Sequence, residues 1–280
     1  MASKARPWLI GCGIGCGVVL LLVGVVVVGS AFLVRDIVQR VEDIESAGDA
    51  LEDRFGNTSD YRPAADGRLD PLRIQAFLDA RALMAPVRAE LEKDLGRLAA
   101  AEEKGLAGSG ESILGLLSSG VGLLPDIFDF ANARSQAMLD AGIGPGEYLY
   151  LYTLSYYVFL GHSAGDGPPF PLVSGPDDHD GDDDSFVVRE ERLVSIRGRL
   201  NQRLLPILRN QLADAHSAGV AGAWPATLAR EVEAMESSPR RLPWQDGLPS
   251  FMVDSLEPFR DRLAASYSEL CNPLETGTGP

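Results

Sequence analysis

The sequence predicts an all-α protein: an N-terminal transmembrane helix with a short juxtamembrane helix, then an irregular helical bundle with long Gly/Pro/Asp-rich loops. Three observations carry that expectation. No charged residue occurs between Pro7 and Val34; apolar residues recur at 3–4 spacing through most of the remaining chain; and no strand-type alternation runs longer than about four residues. With 280 residues, 45% of them hydrophobic and 23% charged, the chain has room for one membrane segment and one ordinary domain.

As a helix, residues 7–34 would extend about 40 Å, enough to cross a hydrocarbon core of roughly 30 Å with tilt. Lys4 and Arg6 precede the run and Gly29-Ser30-Ala31 sits near its end, so a cleaved signal peptide is the competing reading. The uncharged stretch, however, far exceeds the roughly 7 to 15 apolar residues of a signal-peptide core. Leu9-Ile10-Gly11-Cys12 looks like a lipobox, but its hydrophobic run follows Cys12 instead of preceding it.

Lys4 and Arg6 flank one end of the run, and Arg35, Arg40 and Arg54 the other. A short basic tail is normally retained inside while long acidic domains translocate largely regardless of charge, which puts the N-terminus in the cytoplasm. Of 25 basic residues only three are Lys, a bias typical of GC-rich bacterial genes. The expected location is therefore the bacterial inner membrane, single-pass, with residues 1–6 as a cytoplasmic tail and the soluble domain extracytoplasmic.

Gly11, Gly13, Gly15 and Gly17 place small residues four apart on the membrane helix, where backbones can approach closely. Ile37, Val41 and Ile44 continue an a/d-type stripe through the juxtamembrane segment 35–55. Together they offer a homodimer seam; the bland alternative is that the stripe packs on the chain's own domain.

Residues 56–69 are polar and aperiodic and read as a linker. A helical domain is expected over 70–271. Asp70 is an N-cap with Pro71 at N1, and Pro86 should kink or divide the helix that runs to about Glu103. Gly105 to Gly122 reads as loop around one weak helical turn. A helix from Pro125 to Ala141 ends at Gly142, and Pro145 starts the next. That one, to Leu160, is apolar all round, rich in Tyr and too short to span a bilayer, hence a buried central helix. An acidic loop fills 161–188. Amphipathic helices follow over Arg189–His216, Trp224–Glu236 and Asp254–Cys271, and 272–280 reads as a disordered tail.

Two stretches, Leu72-Arg73-Ile74-Gln75-Ala76-Phe77-Leu78-Asp79-Ala80-Arg81 and Ala141-Gly142-Ile143-Gly144-Pro145-Gly146-Glu147-Tyr148-Leu149-Tyr150, resemble a loose family of uncharacterised bacterial proteins with one N-terminal membrane helix and a helical soluble domain. The resemblance covers a small part of the chain and carries no catalytic signature. It implies location and fold class, not activity.

Charge narrows the function classes. There are 40 Asp+Glu against 25 Lys+Arg, and three of the basic residues, Lys4, Arg6 and Arg35, precede the first acid, Asp36. Such a surface repels phosphate backbones, which excludes nucleic acid as a partner. Gly161-His162-Ser163-Ala164-Gly165 matches the nucleophile-elbow pattern of serine hydrolases, with Ser163 as the candidate nucleophile. The Pro-rich sequence after it cannot open the helix that this chemistry needs, and a helix end closed by Gly161 explains the match as well.

In Asp177–Asp184, counting from Asp180, carboxylates fall at loop positions 1, 3 and 5 (Asp180, Asp182, Asp184), and Glu191 falls at position 12, as in an EF-hand. Hard oxygen donors would select Ca²⁺. Ser185 stands where the loop glycine belongs, and the alternative is a solvated acidic loop with no cofactor. No zinc pattern, phosphate loop or dinucleotide fingerprint occurs. The leading expectation is a membrane-anchored extracytoplasmic interaction module acting on a protein partner; an envelope hydrolase through Ser163 and a cation-responsive sensor are the alternatives.

Overall fold

The computed structural model describes residues 39–103 apart from 41, 123–169 and 185–276. The expected transmembrane helix 7–34, Gly11, Gly13, Gly15, Gly17, Ile37 and Val41 of the dimer seam, the Gly/Ser-rich stretch, and Asp180, Asp182 and Asp184 lie outside the described residues. Among the described residues the protein is all-helical with no strand, and no helix is long and apolar enough to cross a membrane.

The main body begins at Ile44. Its first helix, α1, ends at residue 55 with Ala47 and Leu51 buried, and Gly56 stops it in a left-handed conformation (φ 75°). Residues 56–69 are not a free linker. Asn210 and Gln211 donate side-chain hydrogen bonds to the carbonyls of Ser59 and Ala64, and the Trp224 indole donates to Ala65 O at 2.9 Å. Gly67 lies against the Trp224 ring so closely that a Cβ there would fall 2.4 Å from it. Polar sequence was a poor guide here because the segment meets its partners through backbone carbonyls, which any residue supplies.

Asp70 caps α2 (Pro71–Leu83) by accepting from Leu72 N at 2.8 Å. The chain breaks at Met84, and α3 (Ala85–Glu103) starts with Pro86 at its second position, where the missing N–H is harmless. Both pack on α4 (Leu123–Ala141). Gly142, at φ 65°, ends α4, and Gly144-Pro145 opens α5 (Pro145–Tyr152), whose residues from Gly146 onward are all buried. A π-helical segment, Thr153–Phe159, continues it, with Leu160 N donating to Ser155 O five residues back.

The long α6 (Ser185–Ser217) continues through Pro206 and packs on α7 (Trp224–Ser237). The loop expected over 161–188 is shorter than its acidic composition suggested, since residues from Ser185 are helical and Ala164, Gly165 and Asp166 are buried.

The single helix expected over Asp254–Cys271 is three pieces: α8 (Ser250–Leu256), a 3-10 turn at Glu257–Phe259, and α9 (Arg260–Ser266). Pro258 supplies the break. The largest departure is at the C-terminus. Residues 272–276, expected as a disordered tail, form a short helix, α10 (Asn272–Thr276), in which every residue is buried. Leu274 is 4% exposed and joins the main core with the α5 tyrosines. The helical domain thus extends from α1 to Thr276.

Candidate functional site

Two arginine clusters meet at the C-terminal helix. The first begins in α2, where Ile74, Phe77, Leu78 and Arg81 share the core-facing stripe, so Arg81 enters the core with them and is 0% exposed. Its guanidinium pairs with Glu275 of α10, donates to the Tyr148 hydroxyl at 2.9 Å and to Ser266 O at 2.5 Å, and lies over the rings of Tyr152 and Tyr156. Tyr148 in turn donates to the other Glu275 oxygen at 2.7 Å. Burial, the largest single influence, works against the charge on Arg81, but the Glu275 carboxylate together with Tyr148, Tyr156 and Tyr152 outweighs it and holds the guanidinium well above its ordinary pKa.

Asn272 closes the same end of the core. Its Oδ1 accepts from Tyr152 at 3.0 Å and Tyr157 at 2.7 Å, while its Nδ2 donates to the carbonyls of Ala164 and Asp166. Desolvation pushes the hydroxyls of Tyr148, Tyr150, Tyr152 and Tyr157 well above the usual phenol range. Burial also pushes the Cys271 thiol up to about 12. Tyr148, Tyr152 and Tyr157 are hydrogen-bonded to Glu275 and Asn272 and so seat α10, while the Tyr150 hydroxyl is buried without a hydrogen-bond partner.

The second cluster faces a pocket of about 160 Å³ among Thr58, α4, α5, α6 and α10. Arg134 of α4 and Arg203 of α6 line it together with Tyr148, Glu275 and Thr276. Arg134 donates through Nη1 to the carbonyls of Leu274 and Glu275 at 2.8 and 3.1 Å, capping α10, but its Nε is buried without a partner. Among the described residues Arg203 makes no hydrogen bond or ion pair. Its guanidinium is held below the ordinary value by desolvation, and then by the charges of Arg134 and of Arg199 one turn away on α6. Glu275, the carboxylate that lines the pocket with this pair, has both oxygens committed to Arg81 and Tyr148.

Ser163 lies in a turn just after the π-helical segment and Gly161, which has φ 76°. Its hydroxyl accepts from Gly165 N at 3.1 Å, and its own N–H donates to the Asp166 carboxylate. The neighbouring imidazole of His162 stacks on Tyr267 with ring centres 3.7 Å apart. The strand-turn-helix that raises a hydrolase nucleophile is not the local structure here. Glu191 is exposed on α6, and Ile44 is half-buried on α1. Among the described residues no group of three or more His, Cys, Asp or Glu side chains is placed to hold a metal ion.

The two stretches that carry the family resemblance lie against each other. Arg73 forms a two-pronged pair with Glu147 (2.7 and 2.5 Å) and also donates to Gly142 O, while Phe77 packs on Tyr148 with ring centres 5.1 Å apart. No protein-family model matches the chain, and no curated protein and no solved structure matches it.

Sequence reasoning singled out neither arginine pair. Arg81 left a signal, a charge at the core position of an apolar stripe, and so did the recurrence of Arg on one side of α6. Arg134 and Glu275 left none, because their significance comes from residues more than a hundred positions away.

Proposed function

We propose that the chain is a single-pass membrane protein of the bacterial inner membrane whose helical domain acts in the extracytoplasmic space as a binding module for a protein partner. The observation that carries this reading is the uncharged run from Pro7 to Val34, behind a basic hexapeptide and ahead of a domain with a hydrophobic core of its own. The resemblance of 72–81 and 141–150 to bacterial proteins with one N-terminal membrane helix fits it. Glycines four apart from Gly11 to Gly17, followed by Ile37, Val41 and Ile44, supply a homodimer seam in the same reading.

The test is topological. An alkaline phosphatase fused after Pro280 should be active in intact cells, and the purified chain should retain residues 1–34. A silent fusion overturns the orientation, and an N-terminus beginning at Phe32 replaces the anchor with a cleaved signal. For the seam, the full chain in detergent micelles should sediment as a dimer that Gly13→Leu/Gly17→Leu converts to monomer.

A further inference from the structure

We propose that the pocket between α4, α5, α6 and α10 binds a phosphoryl dianion, held between the guanidinium groups of Arg134 and Arg203. This inference is independent of the membrane anchor and of the protein partner proposed above.

Like charges are rarely brought together in a partly desolvated place without a counter-charge, because both burial and mutual repulsion disfavour the ionised forms. Here Arg134 and Arg203 line one cavity, with Arg199 close enough to act on Arg203, in a chain whose net charge is −15, with 40 acidic residues available to the fold. The remaining α6 arginines near the turn at 161–169 are provided for: Arg189 pairs with Asp166, and Arg192 donates to the carbonyls of Gly165 and Pro168. Arg203 has no such partner among the described residues, and Arg134 keeps a buried Nε unused.

Charge and shape select the ligand. Arg134 and Arg203 carry two positive charges that the protein leaves uncompensated, and a phosphate group near neutral pH carries about −1.5 to −2, where a carboxylate carries one. The planar guanidinium fork matches two oxygens of a tetrahedral oxyanion, and such charge-assisted bonds are roughly twice as strong as neutral ones. Glu275 does not oppose this, because Arg81 and Tyr148 satisfy both its oxygens from the core side. Arg134 already grips the carbonyls of Leu274 and Glu275, so an anion on its free edge also secures the helix that it caps. The shared chemistry is a phosphoryl group, whether free inorganic phosphate or the head of a phosphomonoester.

The full chain in detergent micelles, in chloride buffer of constant ionic strength, is titrated with low-millimolar inorganic phosphate, with glycerol phosphate and with acetate, and the melting temperature is followed. Phosphate or glycerol phosphate should raise it saturably and acetate should not; whichever phosphoryl compound acts at the lower concentration identifies the source. Arg203→Gln should weaken the phosphoryl effect tenfold or more while raising the melting temperature in chloride alone, since it removes an unpaired charge. Arg203→Lys, which keeps the charge and loses the fork, should fall between and preserves the test if the glutamine variant folds poorly. No rise beyond chloride, a rise equal for acetate, or a phosphate effect undiminished in Arg203→Gln overturns the proposal.

Discussion

Arg81 and Arg203 both stand beside the C-terminal helix and are treated in opposite ways. Arg81 is fully buried and its charge is answered, by ion pair to Glu275, by hydrogen bonds to Tyr148 and Ser266 and by the ring faces of Tyr152 and Tyr156, although its Nε has no partner. Arg203 is half-buried and faces other arginines. A buried ion pair is at best a small net stabiliser against an apolar replacement, but it tolerates no partial loss. Its role here is to define where α10 docks. An unanswered charge is a standing cost that a ligand can remove. The difference separates a structural lock from a binding surface.

The largest way to break the lock is alkali. Tyr148, Tyr150, Tyr152 and Tyr157 have phenol pKa values raised by burial, so the folded protein keeps protons that the unfolded chain loses above about pH 10. Their contribution is therefore intact below the unfolded value and lost as pH rises past it. Four such groups give a slope of about 5 kcal/mol per pH unit there. Tyrosinate absorbance should stay low and then rise in one step together with the loss of helical circular dichroism. A gradual titration centred near pH 10 with the helices intact would show that the tyrosine cluster is open to water.

Next in size is the pair itself. Either Arg81→Met or Glu275→Leu leaves its partner buried and uncompensated, at a cost of about 3–5 kcal/mol in denaturant unfolding. The double variant should regain much of that, though not all, because Arg81 also serves Ser266 O and Tyr148. If the single losses simply add, the two residues do not act as a unit.

Asn272→Ala tests the same lock through neutral groups. It strips two phenols of their acceptor and two buried carbonyls of their donor, and should lower stability by about 2 kcal/mol or more. A loss near zero would mean that water replaces the amide, and that α10 is held by charge alone.

These residues also show what the sequence allowed to be read. The starts of α2 and α5 were legible because Asp70-Pro71 and Gly144-Pro145 act within one turn of themselves, and Gly142 needs only its own backbone freedom to end α4. The apolar Tyr-rich segment announced its burial because no face of it was polar, although its π-helical second half gave no sign. The 3-10 break at Pro258 could have been anticipated, since a proline inside an apolar period removes a hydrogen bond. The C-terminal helix could not: Asn272 and Glu275 follow a break, precede Gly and Thr, and acquire meaning only from Arg81, Tyr152 and Tyr157. Arg134 belongs to this second kind, placed by carbonyls far along the chain, whereas Arg203 left only the recurrence of Arg along α6.

The smallest effect sharpens the contrast most. Repulsion among Arg134, Arg199 and Arg203 acts where salt can reach it, because Arg199 and Arg203 are only half-buried, whereas mobile ions do not enter the core around Arg81. The Debye length falls from about 10 Å at 0.1 M to about 3 Å at 1 M, so sodium chloride should weaken the first interaction and leave the second alone. A like-charge pair one helical turn apart costs only a few tenths of a kcal/mol, and Arg134 adds a similar amount. Arg203→Gln should therefore melt slightly above the parent chain at low salt, with the gap narrowing as chloride rises to the part that desolvation sets. The deficit of Arg81→Met should hold constant across the same range. A gap that ignores salt would assign the cost of Arg203 to burial instead of to its neighbours, and the two arginines would then differ in partners but not in kind.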